Sequence, residues 1–138
     1  MHLRIRITSI FAVIAVCAIL ASGGCESKPK PPDFGSEEGN AVARLISEEL
    51  QEYREVPKLL RERVFIKGSM PAGADLDKFT KCEYDVVGKP AASDTEATAK
   101  IRIRDVESGK LLGEVEWTFA KDTHDGKSVW KIKSAPLP

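Results

Sequence analysis

The sequence predicts an α+β fold: an N-terminal amphipathic helix packed on a four-stranded antiparallel meander sheet, preceded by a signal peptide and a proline-rich linker. Three observations predict it. An uncharged, largely apolar run spans residues 7–24, apolar side chains then recur at helical spacing through residues 43–53, and from Thr80 onward the apolar period changes to two.

The first residues carry Arg4 and Arg6 and no acid, and from Ile7 to Gly24 there is no charged side chain. A basic start, an apolar stretch at Ile10–Leu20 and the small residues Ala21, Ser22, Gly23 and Gly24 are the three parts of a secretory signal. A membrane span needs roughly 20 apolar residues, and this run is borderline. Ser22-Gly23-Gly24 breaks a helix, and no basic cluster follows at once, since Lys28 and Lys30 come only after Glu26. These features favour a leader that is removed over a retained anchor. The rival is cleavage after Gly23, with Ala21 and Gly23 as the small pair, which releases a soluble protein.

"ILASGGC", Ile19 to Cys25, resembles the lipobox of bacterial lipoproteins, with Ser22 where the strongest examples have Leu or Val. The resemblance implies a diacylglycerol on the sulfur of Cys25, cleavage between Gly24 and Cys25, and a membrane-anchored protein of the bacterial cell envelope facing the periplasm or exterior. Each buried methylene contributes about 0.8 kcal/mol, so two or three acyl chains hold a domain that has no membrane-binding surface of its own.

The predicted organisation is a signal peptide at residues 1–24, a lipidated cysteine and linker at 25–35, and one domain at 36–138. Of the 21 basic side chains, Arg4 and Arg6 lie in the leader, which has no acid, so 19 basic and 21 acidic side chains remain, a net charge of −2. No basic stripe points to nucleic acid. With Cys17 in the leader and Cys25 given to lipid, Cys82 is the one thiol of the body, and packing without a disulfide must hold the fold.

Taken in order, "ESKPKPPDFG" (26–35) is an extended spacer reaching about 30 Å at roughly 3.1 Å per residue. Ser36 is a predicted N-cap, with Glu37 and Glu38 in the first turn, where the helix dipole favours acids. Ala43, Ile46, Leu50 and Tyr53, flanked by Val42 and Leu45, make the apolar stripe of a helix running to about Val56 and ended by Pro57. Residues 58–67 are ambiguous: Leu59 and Leu60 suit a helical turn, Val64-Phe65-Ile66 a strand. Gly68 to Ala74 is loop, and Asp75 opens a short turn through Phe79.

The four strands are centred on Thr80–Val86, Ala97–Ile103, Gly113–Phe119 and Trp130–Ile132, with "GKPAASD", "ESG" and "DTHDG" as the turns. One face is apolar and is covered by the helix; the other is charged and wet. A three-residue turn at Glu107-Ser108-Gly109 pairs Val106 with Lys110, sets Arg102 opposite Glu114 and sets Lys100 opposite Glu116. Phe119 facing Trp130 in the next hairpin brings Glu116 beside Lys133. Opposite charges across strands contribute roughly 0.2–1 kcal/mol each and fix the register.

Chemistry is sparse. The body's single histidine, His124, lies between Asp122 and Asp125, most simply a solvated turn and otherwise an incomplete metal site. No nucleophile elbow, phosphate loop or paired-cysteine metal spacing is present, so no catalytic residue, metal ligand or cofactor is assigned. The alternation turns Cys82 inward as an inert thiol. Glu49, Tyr84, Trp117 and Trp130 are the candidate lining of a pocket between helix and sheet; core packing is the simpler role for the tryptophans.

"GEVEWTFAKDTHDGKSVWKIKS" (113–134) resembles the closing hairpin of small cystatin-like or NTF2-like envelope domains, whose helix-then-strands order the chain shares over residues 36–134. NTF2-like enzymes use inward Asp or His residues, and none is placed inward here. "YDVVG" (84–88) has Tyr84 where cystatin inhibitors have Gln, and no Pro-Trp pair precedes the last strand. The resemblance therefore implies a non-catalytic binding domain with an envelope-protein or cell-wall partner. A small-ligand-binding NTF2-like domain with enzymatic activity is the alternative.

Replacing Cys25 by Ala is expected to leave the precursor unprocessed and unlipidated; normal processing and membrane retention of that variant, read by mass spectrometry and fractionation, would contradict lipidation.

Overall fold

In the computed structural model, which describes residues 33–138, Ser36 caps the first helix as its position predicts. Its backbone is extended, and its Oγ accepts the Gly39 N–H at 2.9 Å. The predicted signal peptide, Cys25 and most of the linker lie outside the described residues. Asp33 to Gly35 are tied to this helix start, because the Phe34 N–H donates to Asn40 Oδ1 at 2.9 Å. Gly39 permits the close seating: a Cβ there would stand 2.9 Å from the Phe34 carbonyl oxygen.

Helix α1, residues 37–53, is α-helical at Glu37–Arg44, passes through a π-turn at Leu45–Glu49 and resumes at Leu50–Tyr53. The Leu50 N–H reaches back five residues to the Leu45 carbonyl, the mark of one extra residue in the turn. Val42, Leu45, Ile46 and Leu50 are buried on the sheet side. The helical part ends at Tyr53, earlier than Val56. Pro57 both stops this helix and opens the next, since its missing N–H costs nothing at a first helical position.

The ambiguous segment is helical through Val64, and the expected strand is reduced to a single bridge at Phe65. Helix α2, residues 57–64, has its own π-turn at Leu60–Val64. Phe65 then lies parallel to Ile132, and the Ile66 N–H donates to the Ile132 carbonyl at 3.0 Å. Helix α3 is Ala74–Thr80.

Strands β1 (Cys82–Ala92), β2 (Glu96–Asp105), β3 (Leu111–His124) and β4 (Lys127–Ser134) form an antiparallel open sheet in the order β1-β2-β3-β4. The α+β class and the meander are as the periodicity predicts. The turns differ in detail. "GKPAASD" is not itself the turn: β1 continues through a bulge after Val87, where Gly88 takes a left-handed φ of 73°, and reverses at Ser93–Thr95.

The β2–β3 register is the expected one, with Arg102 opposite Glu114 and Lys100 opposite Glu116. It is reached by two departures that cancel. The Asp105 and Lys110 backbones bond across a four-residue loop in place of a three-residue one, and a bulge at Leu112 restores the pairing at Ile103 and Gly113. The β3–β4 hairpin is two residues out of the expected register. Asp125 and Gly126 both have positive φ, 51° and 75°, so the turn is a tight two-residue reversal and Asp122–His124 belong to the strand. Phe119 consequently faces Ile132, Trp130 faces Lys121, and Lys133 meets Glu96 at 2.9 Å where Glu116 was expected. A slip of two keeps every side chain on its predicted face. Lys131, expected in water, is buried and paired with Asp122 at 3.1 Å.

The core lies between the helices and one sheet face. Phe79 stacks on Tyr84 and Trp117 with ring centroids 4.8 and 5.9 Å away, and Phe65 meets Phe79 edge-on at 5.4 Å. Trp117 is fully buried, and its indole N–H donates to the Pro136 carbonyl at 3.0 Å, so the last residues cross the sheet end. Trp117→Ala is expected to destabilise the fold by about 3–5 kcal/mol; an unchanged denaturation midpoint would show that the ring is not the centre of the packing.

Candidate functional site

Glu38 joins α1 to strands β3 and β4. Its carboxylate accepts from Lys121 Nζ at 2.6 Å and from the Trp130 indole N–H at 2.5 Å, and the Lys121 ammonium lies 5.3 Å from the Trp130 ring centroid. The two donors, Lys121 before Trp130, hold the Glu38 carboxyl below the ordinary carboxylate range. The partners are 83 and 92 residues away in sequence, so local pattern shows Glu38 only as a first-turn acid. The site acts as a clamp: each carboxylate oxygen accepts from a different strand, Oε1 from Lys121 of β3 and Oε2 from Trp130 of β4.

Tyr84 is 2% exposed, and its hydroxyl donates to the Phe79 carbonyl at 2.7 Å. Burial pushes the phenol well above its ordinary range. Cys82 is buried, its thiol donates to the Lys78 carbonyl at 3.2 Å, and burial likewise pushes it up. Neither group is poised for acid–base or nucleophilic chemistry at neutral pH.

Glu49 is exposed. Partial desolvation raises its carboxyl, with Arg63 pulling the other way, but it lies outside the interior. Glu49, Tyr84, Trp117 and Trp130 therefore do not converge on one cavity. Trp117 and Tyr84 fill the core together, 4.9 Å apart, Trp130 belongs to the Glu38 clamp, and Glu49 stands apart, exposed at the end of the π-turn.

In the β3–β4 hairpin, Asp122 turns to Lys131, and its carboxyl is held low by the Thr123 N–H first and Lys131 second. Asp125 lies 3.3 Å from His124 Nε2. The three side chains thus divide between two partners, and among the described residues no group of three His, Cys, Asp or Glu side chains converges to hold a metal ion.

A cleft of about 380 Å³ lies between α1 and β1. Phe34, Ala43 and Ile46 supply apolar lining, Ser47 and Gln51 the rim, and Glu83–Val86 the opposite wall. At one end Arg54 Nη1 donates to the Cys82 carbonyl at 3.0 Å, while its buried Nε has no acceptor among the described residues. The sequence reading missed this cleft, because it is made by the offset between a helix and a strand edge and has no residue pattern of its own. No family model, curated protein or solved structure matches the chain.

The folded-state carboxyl of Glu38 is lowered from an ordinary 4.5, so its stabilisation is present above that value and is lost as pH falls through the folded value. Glu38→Gln is expected to lower the urea midpoint at pH 7, with the gap to the parent closing as pH falls below about 4.5. A gap independent of pH would mean that the charge of Glu38 carries none of the clamp's effect.

Proposed function

We propose that the chain is a lipid-tethered binding domain of a bacterial cell envelope, anchored at Cys25, which contacts a protein or cell-wall partner and catalyses no reaction. The observation that carries this reading is the filled interior. The space between helix and sheet that an NTF2-like ligand site would need is occupied by Phe79, Tyr84, Trp117 and Phe119, each buried. Tyr84 and Trp117, the polar-tipped side chains within it, spend their donors on the backbone at Phe79 and Pro136.

Element order supports a cystatin-like or NTF2-like relationship: one principal helix precedes an antiparallel meander whose apolar face it covers. The lipobox-like "ASGGC" supports the tether. A domain held at a membrane by acyl chains presents its outer surface, and binding then depends on that surface more than on an enclosed cavity.

Crosslinking in the native envelope followed by mass spectrometry tests the reading. The amino-terminal peptide is expected to begin at an acylated Cys25, and crosslinks from residues 33–138 are expected to reach a protein or a peptidoglycan fragment. A bare Cys25 thiol, or turnover of a small molecule by the purified chain, would overturn it.

A further inference from the structure

We infer that the cleft between α1 and β1 binds an extended peptide that alternates basic and apolar residues, which adds to β1 as a fifth strand. The inference rests on the reading of the chain as a binding domain and names the class of partner.

The two sheet edges are unlike. The outer side of β4 is met by Phe65 and Ile66, whose backbone bonds to Ile132. β1 is the other edge, and its hydrogen-bonding parity follows from two contacts. The Val106 N–H donates to the Lys81 carbonyl, so odd-numbered residues of this strand turn their backbone groups toward β2. The Cys82 carbonyl instead accepts from Arg54, so even-numbered residues turn theirs outward. Tyr84 and Val86 therefore direct N–H and C=O groups off the sheet, and among the described residues no backbone or side-chain partner meets them. Such a row is a template for another strand.

The template is short and bounded. Arg54 closes it at Cys82, and the bulge after Val87 with buried Pro90 interrupts it at the other end. Alternation decides what fits. A residue of the incoming strand on the helix side meets the half-buried Phe34 and Val86, with Ala43 and Ile46 buried behind them; its neighbours on the opposite side lie beside Glu83 and Asp85. Both acids are exposed; β2 sets Arg104 opposite Glu83 and Arg102 opposite Asp85, but neither acid closes to ion-pair distance within the described residues, and the side away from β2 is open. Apolar side chains suit the first set and lysine or arginine the second.

The same charges argue against other occupants. Two copies joined edge to edge would bring Glu83 and Asp85 of one against those of the other. The residues before Asp33 include Pro29, Pro31 and Pro32, which have no N–H to give.

The probe is a blocked hexapeptide of alternating lysine and valine, titrated into the full-length, nitrogen-15-labelled chain in detergent micelles. Saturable binding is expected, with amide exchange at Tyr84 and Val86 slowed about tenfold or more. A glutamate–valine peptide is expected not to bind. Glu83→Gln with Asp85→Asn is expected to weaken the lysine peptide several-fold, as loss of two rim charges does. Val86→Pro, which removes an outward N–H, is expected to abolish binding; should it unfold the domain, the charge variant decides. No saturable binding, equal binding of the acidic peptide, or binding without slowed exchange at those amides would overturn the inference. So would slow exchange there before peptide is added, concentration-dependent if a second copy sits on the edge and concentration-independent if the chain covers itself. If crosslinking finds a partner while this titration fails, the binding-domain reading stands and the β1 site alone falls.

Discussion

Trp117 is where three separate parts of the chain are obliged to meet. Its ring lies against Phe79 of α3 and Tyr84 of β1, and its N–H holds the carbonyl of Pro136 in the tail. A one-sided sheet is stable only when its apolar face is covered, and a large aromatic at the middle of β3 sets how far the covering helices stand from it. Tyr84 extends the same packing to the edge strand, with its hydroxyl closing on Phe79.

The helix is held at its two ends by different means. At its start, Ser36, Asn40 and Gly39 bring the preceding residues into close contact, and Glu38 reaches across to Lys121 and Trp130. Near its end, Arg54 bonds the Cys82 carbonyl. Polar bonds of this kind contribute modestly one by one, about 0.5–1.5 kcal/mol net, but they are directional, and they fix the helix against rotation that apolar packing alone would permit. The cleft wall formed by Ala43 and Ile46 depends on that fixed orientation.

Class and the inward or outward sense of most side chains were legible because they depend on period, and strand order followed from the short connections. Helical spacing at 42–50 and alternation after Thr80 are local facts, and burial followed both. Register was legible only in part. Arg102 and Glu114 pair as charge complementarity requires, yet the Phe119–Trp130 pairing was displaced because the left-handed Asp125-Gly126 reversal is shorter than "DTHDG" suggests. The interior site was legible as a set of aromatics but not as an arrangement: Glu49 was expected near the interior and is exposed, and Glu38 looked like a dipole acid although its partners lie on the distant strands. Arg54 has no local signal, since its acceptor is a backbone carbonyl 28 residues away.

The π-turn at Leu45–Glu49 has a consequence for length. An α-helix advances about 100° per residue, so removing one residue from a regular stretch swings everything beyond it to a new side. Loss of a residue within this turn would instead let the wider loop contract to ordinary winding, leaving Leu50 and Tyr53 close to their original bearing. α1 thus carries a spare residue midway along, and a chain one shorter at that point would still lay its stripe on the sheet.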